Sequence, residues 1–268
     1  MSAETGTETA RAEEIVESSA AKVVVVMPAR QAAATLKQTV AEIPLDEVAE
    51  IILVDDSSTD DTVELARTLP LEVIWHPHQT GYGGNQKTCY MQALHHDADV
   101  VVMLHPDGQY EPGLIPEMVA PIIAGEADLV LGSRLAIPGA AIAAGMPRWK
   151  WFANRFLTTI QNAIMGTHLT EAHTGYRAYS RKTLLTVPFL RNSLDFSFDA
   201  EFLYQAAELG LRIEEVPARC RYFEDMSSVG FKTGVVYGLK TVWTGVRLLL
   251  HRAGIWKSRK VRAAGEPV

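Results

Sequence analysis

Polar groups able to do chemistry collect where apolar runs stop. One run, IILV, ends at Asp55-Asp56 inside the segment DDSSTDDT. Another, ending at Trp75, leads into His76-Pro77-His78-Gln79-Thr80-Gly81-Tyr82-Gly83-Gly84-Asn85. A third, VVML, ends at His105-Pro106-Asp107-Gly108-Gln109. Carboxylate and amide oxygens suit hard cations such as Mg²⁺ or Mn²⁺. Alone, Asp55-Asp56 reads equally well as a turn and helix cap. Acids and imidazoles after several runs of one sheet point to a ligand site.

The elements that must position these groups alternate. Residues 22–27 (KVVVVM) form a β-branched apolar run, predicted as a strand buried on both faces and stopped by Pro28. A helix over 33–43, a strand over 50–54, a helix over 60–69 and a strand over 71–75 follow. Then come a helix over 84–96, a strand over 100–104, a helix over 114–124 and a strand over 128–131. This β-α alternation predicts an α/β fold, a Rossmann-like doubly wound sheet with flanking helices. Ligands bind such sheets beyond the carboxyl ends of the strands, where the polar groups above lie.

Composition excludes several classes. The chain has 268 residues, 47% apolar and 21% charged, which suits a globular protein with a substantial core. Two cysteines, Cys89 and Cys220, are too few for a disulfide framework. A formal charge of −7 argues against a general nucleic-acid binder. The charge is uneven: from Val229 onward eight Lys/Arg stand against one Glu, giving +7 there and −14 elsewhere. Gly81-Tyr82-Gly83 lacks the third glycine of a dinucleotide fingerprint, and the first βα turn, Pro28-Ala29-Arg30, has no glycine. A nicotinamide dehydrogenase is therefore excluded. Residues 1–21 read as a disordered acidic leader and not as a signal peptide. No stretch reaches the roughly 18 apolar residues of a spanning helix. The expectation is a cytoplasmic protein whose membrane contact, at the cytoplasmic face, is peripheral.

Seven segments in order, VVVVMPA, IILVDDSSTDDT, TGYGGNQ, VVMLHPDGQYEP, DLVLGSR, HTGYRAYS and FDAEFLYQA, resemble the inverting family 2 glycosyltransferases of GT-A fold. Within them the chain is similar to the dolichol-phosphate mannosyltransferase-like branch. The resemblance implies a GT-A domain over 22–225 built on a mixed sheet, and a basic amphipathic helix and tail over 226–268. It places Pro28 and Asp56 at the base and ribose of a UDP- or GDP-sugar, with Asp55 supporting the turn and Gly84 and Asn85 on the donor side. Asp107 would bind the metal bridging the donor phosphates, with Gln109 nearby. Arg134 and Arg148 would face a donor or acceptor phosphate. His173, Thr174, Gly175 and Arg177 would form the acceptor side. Two departures stand out. His105 replaces the first acid of the usual Asp-x-Asp, either as a ligand better suited to Mn²⁺ or as a group outside the coordination shell. Arg30-Gln31-Ala32 replaces a Tyr-Asn-Glu-like triplet, which leaves Arg30 available to meet a phosphate.

The acceptor decides whether a base is needed. A phosphate oxygen is already an anion, whereas a hydroxyl must lose a proton to a carboxylate. Glu171, Asp199 and Glu201 are the candidates, and Asp199 and Glu201, two apart on a helix over 199–209, cannot face the same way. Arg219, Arg221, Tyr222 and Ser227 lie where relatives meet the acceptor phosphate, without the lysine those relatives carry. Lys232, Lys240, Arg247 and His251 fall on one face at helical spacing, which predicts a basic face laid on an anionic membrane or packed on the domain or a partner copy. The first expectation is sugar transfer to a polyprenyl-phosphate-type acceptor. The others are transfer to the hydroxyl of a small molecule, or a catalytically silent nucleotide-sugar binder. The oligomeric state stays open.

Overall fold

The computed structural model describes residues 21–222 and 231–261. The predicted leader, apart from Ala21, and Ser227 lie outside the described residues.

Seven strands form one sheet in the order β3-β2-β1-β4-β6-β5-β7. They are β1 (Val23–Ala29), β2 (Glu50–Asp55), β3 (Glu72–Trp75), β4 (Val100–Met103), β5 (Leu129–Ser133), β6 (Arg177–Ser180) and β7 (Ile213–Pro217). β1 to β4 are mutually parallel, β5 pairs parallel with β7, and β6 lies antiparallel between β4 and β5. The chain is thus a mixed α/β sheet of GT-A type. Its winding reverses at β1/β4, the place where such sheets hold ligands.

The alternation along β1 divides the core. Val24 and Val26 pack into an apolar cluster on one face, and Val23, Val25 and Met27 into a cluster on the other. Burial on both faces is why the strand reads as unbroken valine. Pro28 does not stop β1 as predicted; it pairs in register with Val54. The ladder from β1 to β4 has already ended at Val26 and Met103, so the missing N–H of Pro28 leaves no β4 partner unpaired.

Nine helices are described: α1 (Leu36–Ala41), α2 (Thr62–Ala66), α3 (Tyr82–His95), α4 (Ile115–Ile123), α5 (Ala140–Ala143), α6 (Arg148–Met165), α7 (Arg181–Thr186), α8 (Ser197–Glu208) and α9 (Phe231–Arg252). The predicted helices over 33–43 and 60–69 shrink to α1 and α2, because their outer residues enter turns. α3 starts two residues earlier than predicted, at Tyr82. α6 and the strands β6 and β7 carry no sequence prediction.

α9 packs beside α6 in the same direction: Gly234 faces Trp149, Gly238 faces Leu157 and Gly245 faces Ile164. Of the two placements predicted for its basic residues, on a membrane or packed on protein, contacts of the second kind are present. Lys240 pairs with Asp195, Arg247 donates to Ser258 Oγ (3.3 Å), and His251 Nδ1 accepts from Ser258 N (3.1 Å). The outward face is apolar instead, with Val235, Val236, Leu239 and Trp243 exposed. The side chain of Lys232 lies outside the described residues.

Candidate active site

The carboxyl edge of the sheet brings together the ends of β1, β2 and β4, the start of β6 and the first turns of α3 and α8. Asp55, fully buried, accepts the backbone N–H of Ser58 (2.8 Å) and its hydroxyl, closing the turn after β2. Asp56 follows, its own N–H bonded to Ala29 O (2.9 Å), which fastens β2 to the end of β1. Its Oδ1 accepts Thr80 N (2.7 Å), Thr80 Oγ1 (2.8 Å) and His76 Nδ1 (3.1 Å), and its Oδ2 accepts Gly81 N (3.0 Å). Burial disfavours the charged form of Asp56, but these bonds outweigh it and hold the carboxyl below its usual range.

The loop that Asp56 grips starts α3. Gly81 has φ +86°, and a Cβ there would stand 2.6 Å from Leu194 O, so only glycine fits. Gly84 and Asn85 are buried in the first turn. Asn85 Nδ2 donates to Val54 O (2.9 Å) and Ala29 O (3.3 Å), pinning the helix to the ends of β2 and β1. Both residues set the backbone of the cleft. Arg30 is exposed at the end of β1.

Past β4, Asp107 is partly exposed, and Oδ1 accepts Gln109 N (3.0 Å). His105 stacks on Tyr82 with centroids 5.7 Å apart, and its Nε2 lies 3.4 Å from the Tyr82 hydroxyl. Gly175 presses on the same ring; a Cβ there would be 2.8 Å from His105 Cδ2. Nε2 of His105 is therefore turned into protein. The backbone O of Gln109 accepts Arg221 N (2.8 Å).

Tyr82, which the sequence did not mark, donates to Asp199 Oδ2 at 2.7 Å. Asp199 Oδ1 accepts Gln86 Nε2 (3.3 Å) and lies 3.7 Å from Arg177 Nη1. Arg177 is fully buried, also donating to Thr174 O (2.9 Å) and Asp199 O (3.3 Å). This corrects its expected place on the acceptor side: it lies beneath the cleft as a clamp joining β6 to α8.

Arg134 is corrected likewise. It is buried at the end of β5 and forked onto Glu171, with Nε 3.0 Å from Oε1 and 3.2 Å from Oε2. It also donates to His173 O (2.9 Å) and the Tyr222 hydroxyl (3.2 Å). Glu171 takes a further bond from Asn154 Nδ2 (2.7 Å). Thr174 Oγ1 donates to Gly132 O (2.7 Å), Gly175 N donates to the Tyr110 hydroxyl (3.0 Å), and His173 Nδ1 meets the Tyr237 hydroxyl (2.7 Å).

Other expected residues stand apart. Glu201 faces away from Asp199 and accepts Ser193 N (2.7 Å), Ser193 Oγ (3.0 Å) and Lys260 Nζ (2.6 Å). With its oxygens held by Ser193 and Lys260, Glu201 is placed as a structural anchor, which corrects its place among the catalytic candidates. Arg148 is exposed at the start of α6. Arg221 pairs with Glu42 (3.0 Å) across a pocket of about 120 Å³ lined by Thr35, Gln38, Thr39, Gly108 and Tyr110. Among the described residues no group of three or more His, Cys, Asp or Glu is placed to hold a metal. The partly exposed Asp107 fits Mg²⁺ or Mn²⁺ only where a ligand's phosphates complete the shell.

The model of a protein family described as Glycosyl transferase family 2 matches residues 24–186, more than half the chain and the whole run from β1 into α7. The chain belongs to that family. The glycosyltransferase is 28% identical over 246 residues to the UDP-N-acetylglucosamine–dolichyl-phosphate N-acetylglucosaminyltransferase of Methanococcus voltae, covering 85% of this chain and 95% of that one. It is 28% identical over 221 residues to the undecaprenyl-phosphate mannosyltransferase of Micrococcus luteus, covering 75% and 87%. These relatives place it near the dolichol-phosphate mannosyltransferase-like branch. In fold it resembles glucosyl-3-phosphoglycerate synthase from Mycobacterium tuberculosis in complex with UDP, with a TM-score of 0.66 and 23% identity over 89% of this chain and 82% of that one. The same synthase has been solved with Mn²⁺, UDP-glucose and phosphoglyceric acid (TM-score 0.62).

Proposed function

We propose that this glycosyltransferase moves a sugar from a nucleoside-diphosphate donor, with a divalent cation on Asp107, to a polyprenyl phosphate at an anionic membrane surface. One observation carries the reading: the candidate bases are already occupied. Asp199 accepts from Tyr82 and Gln86 beside Arg177, Glu171 is forked by Arg134, and Glu201 holds Lys260. A hydroxyl acceptor would need one of them to take its proton, and a phosphate acceptor needs none. Its anionic oxygen forms the bond to the anomeric carbon as the bond to the donor diphosphate breaks, the electron pair leaving on the nucleoside diphosphate. When bound, the cation stabilises that leaving charge. Asp56 and Asn85 hold the cleft in shape.

The surface supports the same acceptor. Phe152 and Phe156 on α6 are each 66% exposed, and Leu239 on the adjoining α9 is 68% exposed. Trp149, Trp243 and Trp256 flank this face. Neither 148–165 nor 231–261 contains an Asp or Glu, while together they hold ten Lys and Arg. Lys240, Arg252 and Lys260 are paired with acids of neighbouring elements, and the apolar face with its aromatic flanks and the remaining cations suits an anionic lipid surface. Among the described residues no helix is long and apolar enough to cross a membrane.

The test is product formation by the full chain with UDP- and GDP-sugars, Mn²⁺ or Mg²⁺, and either polyprenyl phosphate, polyprenol or small hydroxyl acceptors. Product with the phosphate alone is expected. Turnover of a hydroxyl acceptor that vanishes in Asp199→Asn overturns the reading. Nucleotide binding without turnover on any acceptor identifies a silent binder.

A further inference from the structure

We infer that the segment after α9 latches the turn 80–84 at the donor side of the cleft, with Lys260 as a positioning residue that acts through Glu201 and the loop 192–195. The inference rests on the donor site proposed above.

The turn 80–84 is shaped by what lies against it. Gly83 N donates to Leu194 O (2.8 Å). A Cβ on Gly81 would stand 2.6 Å from Leu194 O, and one on Gly83 would collide with Ser193 O. The two glycines are thus fitted to the backbone of a loop distant in sequence. On its other side the same turn donates Thr80 N and Gly81 N to Asp56 and carries Tyr82, the partner of Asp199. A shift of the loop 192–195 therefore reaches the cleft directly.

The C-terminal segment fixes that loop. Ser193 N and Oγ donate to Glu201 Oε2 (2.7 Å) and Oε1 (3.0 Å). Glu201 is 4% exposed, and Lys260 is the cation that pairs with it (2.6 Å). A buried carboxylate deprived of its cation is costly, so this arrangement depends on Lys260. Lys260 Nζ also donates to Ser193 Oγ (3.2 Å). The backbone of the segment adds two contacts. Gln205 Nε2 bonds both Asn192 Oδ1 (2.6 Å) and Lys260 O (2.6 Å), and Arg191 Nη1 donates to Arg259 O (2.8 Å). Lys87, a second ammonium near Glu201, is engaged by Asn192 O. Residues Arg259–Val261 form a single 3₁₀ turn after α9, so the helix with the outward apolar face leads into the group that braces the cleft.

The experiment is amide hydrogen exchange by mass spectrometry on the full chain without nucleotide, as wild type, Lys260→Met and Lys260→Arg. Exchange across 80–86 should quicken about tenfold in Lys260→Met, the worth of one hydrogen bond to a charged group, while β1 and β2 stay as protected as in wild type. Lys260→Arg should restore the slow rate. Unchanged exchange at 80–86 overturns the inference, and so does a uniform rise that includes β1 and β2, the mark of a merely stabilising contact. Calorimetry with UDP and GDP in Mn²⁺ reads the donor side. The nucleotide that wild type binds should bind about tenfold more weakly to Lys260→Met and normally to Lys260→Arg. Faster local exchange with unchanged affinity overturns the link to the donor. No binding of either nucleotide by wild type overturns the proposed donor site, while exchange still decides the latch. Ser193→Ala, which removes the hydroxyl between Glu201 and Lys260, should act in the same direction. An effect confined to the lysine variant overturns the route through the loop 192–195.

Discussion

The Tyr82 hydroxyl donates to Asp199 Oδ2 at 2.7 Å, although the two residues are 117 positions apart. Tyr82 opens α3 and Asp199 opens α8, so this bond joins the first turns of two helices at the cleft floor. The same tyrosine ring stacks on His105, which links the loop carrying Asp107 to the same joint. Tyr82→Phe keeps the ring and removes the bond. A loss of about 1.5–3 kcal/mol in unfolding free energy is expected for a bond to a buried charge. Denaturant titration measures it, and an unchanged midpoint would mean that water replaces the hydroxyl at no cost.

Arg134 and Glu171 form a buried ion pair, so each depends on the other. Arg134→Met strands an unpaired carboxylate and should cost about 3–5 kcal/mol. Adding Glu171→Met should recover part of that loss. A double-mutant cycle by chemical denaturation checks it; strictly additive losses would refute the coupling.

Asp107→Ala should weaken nucleotide binding in Mn²⁺ by about tenfold or more, at least the penalty seen for groups that merely orient metal ligands. Binding in chelator should be the same for wild type and variant. Calorimetry in both buffers reads the difference, and equal Mn²⁺ affinity in the two proteins would move the metal site elsewhere.

Burial pushes the His173 imidazole down to about 3, with Arg177 and Arg134 nearby adding to the effect and Glu171 opposing it. The unfolded chain therefore takes up this proton at a higher pH than the folded one. Stability from His173 is complete above about 6.5 and is lost as pH falls from there toward 3, at no more than about 1.4 kcal/mol per pH unit. Melting temperature should fall between pH 6.5 and 4. That slope should flatten in His173→Asn if the variant folds. Carboxylates such as Asp128, held at about 2 by Arg212 and Lys182, add their own loss only below the ordinary carboxylate range.

Phe152→Glu with Phe156→Glu should abolish co-sedimentation with vesicles rich in anionic lipid while leaving nucleotide binding unchanged. Wild-type binding should weaken with salt, since charge supplies part of the attraction. Equal sedimentation of variant and wild type would exclude this face as the lipid contact.

The β-α order of 22–132, the parallel strands β1 to β4 and the polar groups at their ends were legible because local patterns fix them. Short β-branched apolar runs bounded by turn residues read as buried strands, and Asp55-Asp56 and His105-Pro106-Asp107 follow such runs. The antiparallel strand β6 was not legible, because its four residues satisfy no periodicity until β4 and β5 lie on either side. Nor could sequence separate the acids by role. Asp199 and Glu201 differ by two positions, and the helix turn sends one to Tyr82 and the other to Lys260. Arg177 and Arg134 resemble phosphate ligands in the chain, yet folding buries both against carboxylates distant in sequence. α9 carries both basic and apolar residues, and only its packing on α6 and α8 determined which face remained outside. Sequence alone set the elements and the kinds of groups at the sheet edge, because periodicity and propensity are local. The partner of each charge was decided by tertiary structure, because a buried ion must find its counterion wherever the fold brings one within reach.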